Sequence, residues 1–280
     1  MTGEESRAVD SFDVAVDAVA HRIVHGGSRF RDPVLVDESV RHALENLEEL
    51  APLHNAPALR ALADAQSALP GLPHIAVFDT AFHATLPAEA YTYAVPARFG
   101  IRRYGFHGLS VQWAAEQVRV PRLVVCHLGG GCSVTAVLNG ASVDTTMGFT
   151  PLEGVPMATR SGSVDPGALF HLLPREPDLE RVLNEESGLL ALGGSADVRE
   201  VGQFALDVFC YRVACAVGGM AVALGGVDAI VFTAGIGEHS ESVRDGVTSR
   251  LGFLQPFEVH VVAAREELVA ARAARALLVS

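Results

Sequence analysis

The chain has 280 residues, 49% of them hydrophobic and 19% charged, with a formal charge of −12; this suits a substantial globular core and leaves no basic stripe for a nucleic-acid backbone. No apolar run reaches membrane-spanning length without charges or glycines, and the start MTGEESRAVD is too acidic and polar for a secretory or mitochondrial leader. The four cysteines, Cys126, Cys132, Cys210 and Cys215, show no CxxC spacing; with three in apolar segments they read as free thiols of a cytoplasmic protein.

In chain order, residues 1–17 read as a frayed end and a short helix. Val19–His25 is β-like and runs into Gly26-Gly27, with Arg22 inside the apolar stretch. An unpaired guanidinium is costly there, so Arg22 is either paired with a carboxylate or clamps an anion. Apolar spacing predicts helices over Asp37–Leu50 and Ala58–Leu69, separated by a break at Ala51–Pro57. His74–Phe82 reads as a buried strand carrying Asp79 near its carboxyl end, where acids of α/β sheets often face the ligand crevice. Leu86-Pro87 opens a loop-rich section that ends in IRRYGFHG, with His107 between aromatics and glycines; a lone histidine is more often a packing or capping residue than a catalyst. Ser110–Arg119 is helical.

Two glycine-rich segments follow apolar runs. Leu123–Cys126 leads into Gly129–Gly131, then Val134–Leu138 ends at Asn139-Gly140, a type I′ signal that predicts a hairpin with the next short run. Three glycines in a turn expose backbone N–H groups that can form an anion nest. Asp228–Thr233 leads into AGIGEHS and a helical pattern from Ser242, which reads as strand, glycine turn and helix start. Two such loops in one domain suggest a nucleoside triphosphate. Between them, Thr145–Pro166 is a long Gly/Pro-punctuated loop carrying Arg160, a candidate anion contact. Pro166–Leu173 and Asp178–Glu186 read as helices, Ser187–Ala196 as a turn-rich linker, and Gly202–Leu224 as a long helix stopped by Gly225-Gly226. A strand at Glu258–Ala263 and a helix from Arg265 to Leu277 close the chain. A phosphate-holding ribbon followed by a strand–glycine–helix unit is the plan of the actin-like sugar-kinase ATPases.

At this point the sequence resembles the acetate and propionate kinases, through HRIVHGG (21–27), LAPLHN (50–55), FDTAFH (78–83), RRYGFHG (102–108), HLGGGCS (127–133), MGFTPLEG (147–154), TRSGSVDP (159–166), SGLLALGGSADVR (187–199) and FTAGIGEHS (232–240). The resemblance implies an α/β fold of two actin-like (ribonuclease H-like) ATPase domains around a cleft, usually in a homodimer. It places a shortened first, acyl-substrate domain at 1–80 plus 267–280, and a nucleotide-binding and dimerisation domain at 81–266. The implied reaction is reversible transfer of the ATP γ-phosphoryl group to acetate or a similar short carboxylate. Arg22 and Arg160 match the family's two active-site arginines, His107 the histidine that donates to an equatorial oxygen, and Asp79 the essential aspartate, which helps position substrate and magnesium. His54 matches a less critical histidine near the site. Val24, Leu53, Phe106 and Pro151 match the small pocket for the acyl methyl group. His127, Leu128, Gly129, Gly130 and Gly131, with Asp197, Val198 and Arg199 and with Gly235, Ile236, Gly237, Glu238 and His239, match the nucleotide segments. Glu266 matches a magnesium-linked glutamate, with Glu267 as the alternative one position on.

The sequence also departs from the family. Nothing matches the family's first strand, N-x-G-S-S-S-x-K, which supplies a metal-side asparagine and phosphate-facing serines; the expectation is a truncated first domain, a late start to the reading frame, or a separate chain that supplies the strand. The stretch between Leu254 and Glu266 is short, and Gly130, Cys132, Ser163 and His239 replace an asparagine, an alanine, an aspartate and an asparagine. A catalytic kinase therefore stands against a degenerate member that only binds nucleotide or a full-length partner.

Overall fold

The computed structural model describes residues 15–47 and 52–279, the side chains of 52–54 excepted, so the helix expected within residues 1–17 falls almost wholly outside it. In chain order the elements are β1 (Val19–Ile23), β2 (Val34–Leu35), α1 (Glu38–Glu45), α2 (Pro52–Ala68), β3 (His74–Phe78), α3 (Ala88–Tyr91), α4 (Gly108–Gln117), β4 (Arg122–Leu128), β5 (Cys132–Leu138) and β6 (Ala141–Thr145). Then come α5 (Pro166–Leu172), α6 (Leu179–Glu185), α7 (Gly188–Gly193), α8 (Gln203–Leu224), β7 (Ala229–Thr233), α9 (Ala234–His239), α10 (Glu241–Thr248), β8 (Glu258–Val261) and α11 (Glu266–Val279). The chain divides into two compact units. The first takes the described residues up to Ala84, Phe106–Trp113 and the residues from Arg265; the second takes Thr85–Gly105 and Ala114–Ala264.

The first unit holds a three-stranded sheet in the order β1-β3-β2, with β1 parallel and β2 antiparallel to β3. All five residues of β3 are buried, because side chains of alternating direction enter two separate cores. Ala76 and Phe78 join Ile23, Phe30, Leu44 and Leu62, while Ile75 and Val77 join Leu109, Val269 and Ala274. Sandwiching β3 in this way delivers Asp79, the next residue, to the carboxyl end of a strand that cannot shift register without exposing a whole apolar face. Helix α1 starts where Asp37 caps it, its carboxylate accepting from Val40 N at 2.7 Å.

The expected break over Ala51–Pro57 is corrected from Pro52 on: α2 runs from Pro52 through Pro57. Pro52 heads the helix, where a missing N–H costs little. Buried Asn55 then ties the first turns down, accepting from His25 N and donating to His25 O, each at 3.1 Å. These tertiary bonds outweigh the helix bond that Pro57 removes.

The second unit is built on a five-stranded sheet in the order β6-β5-β4-β7-β8. The strands β4, β5 and β6 are antiparallel neighbours, whereas β7 runs parallel to β4 and β8 parallel to β7. The β5–β6 hairpin turns at Asn139 (φ 50°) and Gly140 (φ 84°), the left-handed pair that the Asn-Gly signal predicts. Helix α8, 22 residues long, is apolar and long enough to cross a membrane by length and composition alone; here Phe209, Val213, Val217 and Leu224 are buried as core of the unit.

Two further expectations are corrected in this unit. AGIGEH is not a glycine turn but the short helix α9, which packs so closely on the end of β7 that a Cβ on Gly237 would lie 3.3 Å from the Phe232 carbonyl carbon. Within the turn-rich linker expected at Ser187–Ala196 lies α7, because the preceding loop supplies acceptors to its first amides: Leu189 N donates to Met157 O at 2.9 Å and Leu190 N to Ala158 O at 3.0 Å. In both cases packing overrode the local preference of glycine.

Candidate active site

In the first unit Asp79 leaves β3 completely buried, at 1% exposure, and meets Arg22 from the neighbouring strand β1. Arg22 Nε donates to Oδ1 at 3.0 Å and Nη2 to Oδ2 at 2.6 Å, a fork-on-fork geometry. The remaining terminal nitrogen, Nη1, lies 2.6 Å from Oε2 of Glu266 at the start of α11. Of the two alternatives for the last-helix acid, Glu266 faces Arg22, while Glu267 pairs with Arg265 at 3.4 Å. Burial pushes the Asp79 carboxyl above its ordinary range, and Arg22 offsets part of that push. The Glu266 carboxyl is raised by burial, with Arg22 opposing and the Asp79 charge adding to it. Burial also disfavours the Arg22 charge, but the Asp79 charge, its hydrogen bonds and Glu266 outweigh it and raise the Arg22 pKa.

Two hard oxygen donors that repel each other and share one guanidinium suit magnesium, which takes one or two carboxylates and completes its shell with water and phosphate. The donor chemistry therefore fits, although no cluster of three or more acids, histidines or cysteines occurs among the described residues.

His107 lies beside this cluster in the chain's first unit and is half-buried, with φ 59°. A left-handed backbone on a non-glycine residue is held only where its surroundings over-determine it, and such strain concentrates at functional sites. Three contacts hold it. Gly108 N donates to Asp79 O at 2.9 Å, Val111 N donates to His107 O at 2.9 Å, and buried His83 bonds through Nε2 to Phe106 O at 2.9 Å. A Cβ on Gly108 would sit 2.1 Å from Asp79 O, so only glycine permits this approach. Burial holds His83 down to a pKa of about 4, against a smaller raising effect from its bond to Phe106; it is therefore a neutral N–H donor at physiological pH. His83 is absent from the sequence-based candidates, though its place four residues after Asp79 in FDTAFH was the available signal.

The apolar candidates divide. Phe106 is 1% exposed, with the His25 ring edge-on at 5.4 Å, and Val24 is half-buried. Leu53 and His54 fall in the first turn of α2, where their side chains lie outside the described residues.

In the second unit, a cleft of about 800 Å³ is lined by Gly129, Gly130, Asp197, Val198, Arg199, Gly235, Ile236 and His239. Three sequence segments far apart in the chain share one cleft; the parallel β4–β7 pairing sets two of them side by side, with His127 opposite Thr233. Ala158, Ala196, Ser240, Glu241 and Ser242 also line it; Ala196 and Ser240 lie within the motifs at 187–199 and 232–240, and the other three flank motifs. His127, Leu128, Gly131, Gly237 and Glu238 are not lining residues. His127 and Leu128 are buried in β4, Gly237 is packed on β7, and Glu238 accepts from Ala264 N at 3.0 Å. A Cβ on Gly130 would meet nothing within 4 Å. Asp197 is ion-paired to Arg199, which holds its carboxyl down to about 2. One residue before the Ala234–Gly235 corner, Thr233 Oγ1 is buried with no hydrogen-bond partner among the described residues. Open backbone and paired charge along the cleft fit a polyanionic nucleotide.

Arg160 belongs to the same unit, in the irregular stretch 146–165, and is half-buried. Its Nη1 donates to Pro151 O at 3.3 Å, which joins two of the site candidates directly. Burial lowers its pKa, with the nearby Cys132 thiol acting weakly in the other direction.

A solved propionate kinase from Francisella tularensis subsp. tularensis superposes with a TM-score of 0.87 at 35% identity, covering 92% of this chain and 78% of that one. The architecture is thus that of the actin-like ATPases in their acetate kinase form. Acetate kinase of Caldicellulosiruptor bescii is 45% identical over 281 residues, covering 91% of this chain and 70% of its own length. That of Clavibacter michiganensis subsp. michiganensis is 48% identical over 263 residues, covering 85% and 66%. Residues 4–278 match the acetokinase family model, and the chain belongs to the acetokinase family. It spans about two thirds of the length of the curated relatives it matches.

Proposed function

We propose that this chain transfers the γ-phosphoryl group of ATP, reversibly, to acetate or a similar short carboxylate. The observation that carries the reading is the Arg22 guanidinium, fixed by Asp79 and Glu266 yet 41% exposed, a planar cation pre-oriented for an anion. Similarity to acetate and propionate kinases supports the choice of acceptor.

In the reaction a carboxylate oxygen attacks the γ-phosphorus, the bond from that phosphorus to the β,γ-bridging oxygen breaks, and ADP leaves with the electron pair. The acceptor is already ionised, so no general base is needed, and positioning with charge stabilisation supplies the rate. Arg22 orients the acceptor, Arg160 meets the charge of the transferring group, and His107 donates to an equatorial oxygen. The resemblance assigns Val24, Leu53, Phe106 and Pro151 to the acyl chain, where one methylene would separate acetate from propionate by about 1–3 kcal/mol. Asp79 and Glu266 would hold magnesium, whose chemistry is to neutralise charge on the phosphates. ATP would occupy the cleft of the second unit, its phosphates against Gly129 and Gly130.

A homodimer fits α8, whose outer side leaves Phe204, Tyr211 and Val222 at 71%, 56% and 83% exposure. Free thiols fit a cytoplasmic setting.

The test traps acyl phosphate as its hydroxamate in a mixture of ATP, magnesium and acetate or propionate. Turnover by the wild-type chain and its loss in Arg160→Ala support the reading. Turnover no higher than that of Arg160→Ala, with ATP still bound by calorimetry, would leave a nucleotide-binding member without kinase activity.

A further inference from the structure

The loop that carries Pro151 and Arg160 has no helix or strand of its own, so something else must fix it. Its fold back on itself is centred on one carboxylate. Glu153 Oε1 accepts from Arg103 Nη2 at 2.8 Å, and Glu153 Oε2 accepts from the Tyr93 hydroxyl. The same Arg103 donates through Nη1 to Thr146 O at 2.9 Å and Met147 O at 3.0 Å. Tyr93 in turn accepts from Phe149 N at 2.9 Å. Tyr104 N completes the wrap by donating to Gly148 O at 3.0 Å.

The arrangement leaves no slack. A Cβ on Gly148 would lie 1.7 Å from Glu153 Oε2 and 2.2 Å from the Tyr93 oxygen, so the network fills the space a side chain would need. Arg103 is 16% and Glu153 33% exposed at the side chain, which shields the pair from solvent more than an ordinary surface bridge. Burial and the bond to Glu153 raise the Tyr93 pKa to about 12, so the phenol remains a donor at any ordinary pH. Pro151 and Glu153 are separated by one residue, and Arg160 reaches back to Pro151 O. Moving the Glu153 carboxylate therefore moves Pro151 and, through it, one of the anchors of the Arg160 guanidinium.

We infer that Glu153, gripped by Arg103 and Tyr93, is a positioning residue that sets where this loop presents Pro151 and Arg160. The inference rests on the carboxylate kinase reading for its functional consequence, but the brace itself is separately measurable. Glu153→Gln weakens both grips, and Tyr93→Phe removes only a hydroxyl, so the second variant keeps the test informative if the first folds poorly.

The experiment compares both variants with wild type by amide hydrogen exchange and by steady-state kinetics. Exchange across residues 146–160 is expected to rise about tenfold, the size of one lost hydrogen bond, while β4 and β5 exchange as before. Turnover should fall about 100-fold, as for an ångström of misplacement. The KM for carboxylate should rise and the KM for ATP should hold, because the nucleotide cleft is built mainly from other segments. Unchanged exchange in this loop, an even rise over the whole chain, or equal changes in both KM values would overturn the inference. A wild-type chain that forms no acyl phosphate would remove the kinase reading, and the exchange data would then decide the brace alone.

Discussion

Arg22 and Asp79 meet through two roughly parallel N–H···O bonds, with the carboxylate 1% and the guanidinium 41% exposed. The pair is asymmetric: the acid depends wholly on the arginine, whereas the arginine keeps one side for something else. Removing either partner should therefore have different costs.

Arg22→Ala strands a buried carboxylate and should lower stability by about 1.5–3 kcal/mol, the range for a hydrogen bond to a charged group. In Asp79→Asn the side chain keeps its shape and Arg22 falls back on Glu266 and water, so the loss should be smaller while carboxylate turnover still collapses. Urea midpoints of the two variants check the order. Equal losses would mean that the exposed side of Arg22 contributes as much as the buried one.

Acid should destabilise the protein through its buried histidines. Burial lowers His83 from 6.5 to about 4, and burial with the neighbouring His74 lowers His21 to about 4. Between these values the unfolded chain binds protons that the folded chain refuses, so stability is full above pH 6.5 and falls as pH drops towards 4. His83 contributes on the order of 3 kcal/mol over that window, and the less enclosed His21 contributes less. His83→Gln keeps a donor for Phe106 O but cannot titrate, so its unfolding midpoint should vary less with pH than that of the wild type. A pH profile identical to wild type would count against the assignment.

Two glycines should respond in opposite ways to alanine. At Gly108 the added methyl meets the Asp79 carbonyl at 2.1 Å; the strained turn at His107 should shift, costing about 1–3 kcal/mol and abolishing turnover. At Gly130 nothing lies within 4 Å, so Gly130→Ala should fold like wild type yet raise the KM for ATP. Thermal unfolding and nucleotide titration separate the two, and a destabilised Gly130→Ala would contradict the open cleft.

Arg199 tests the cleft from its other wall. The Asp197–Arg199 pair is at the surface, so Arg199→Ala should leave stability unchanged. The KM for ATP should rise about tenfold, the weight of one charge-assisted contact, with little change in the KM for carboxylate. A change in the carboxylate term alone would move Arg199 out of the nucleotide site.

Much was legible in the sequence because it depended on local physics. Alternation and apolar runs located β3, β4, β5 and β7, Asn139-Gly140 fixed the β5–β6 turn, and an acid near the end of a buried strand marked Asp79, although the strand stops at Phe78 and not at Phe82. The quoted motifs carried the family. The helical state of α7 and α9 was not legible, since glycine discourages helix and only amide acceptors at Met157 and Ala158, or close packing on Phe232, reverse that preference. Nor could the sequence say which of Glu266 and Glu267 meets Arg22, because one helical step of about 100° decides it. The meeting of residues 129–130 with 235, 236 and 239 at one cleft follows from the parallel pairing of β4 with β7, a contact more than a hundred residues apart in the chain that no local pattern encodes.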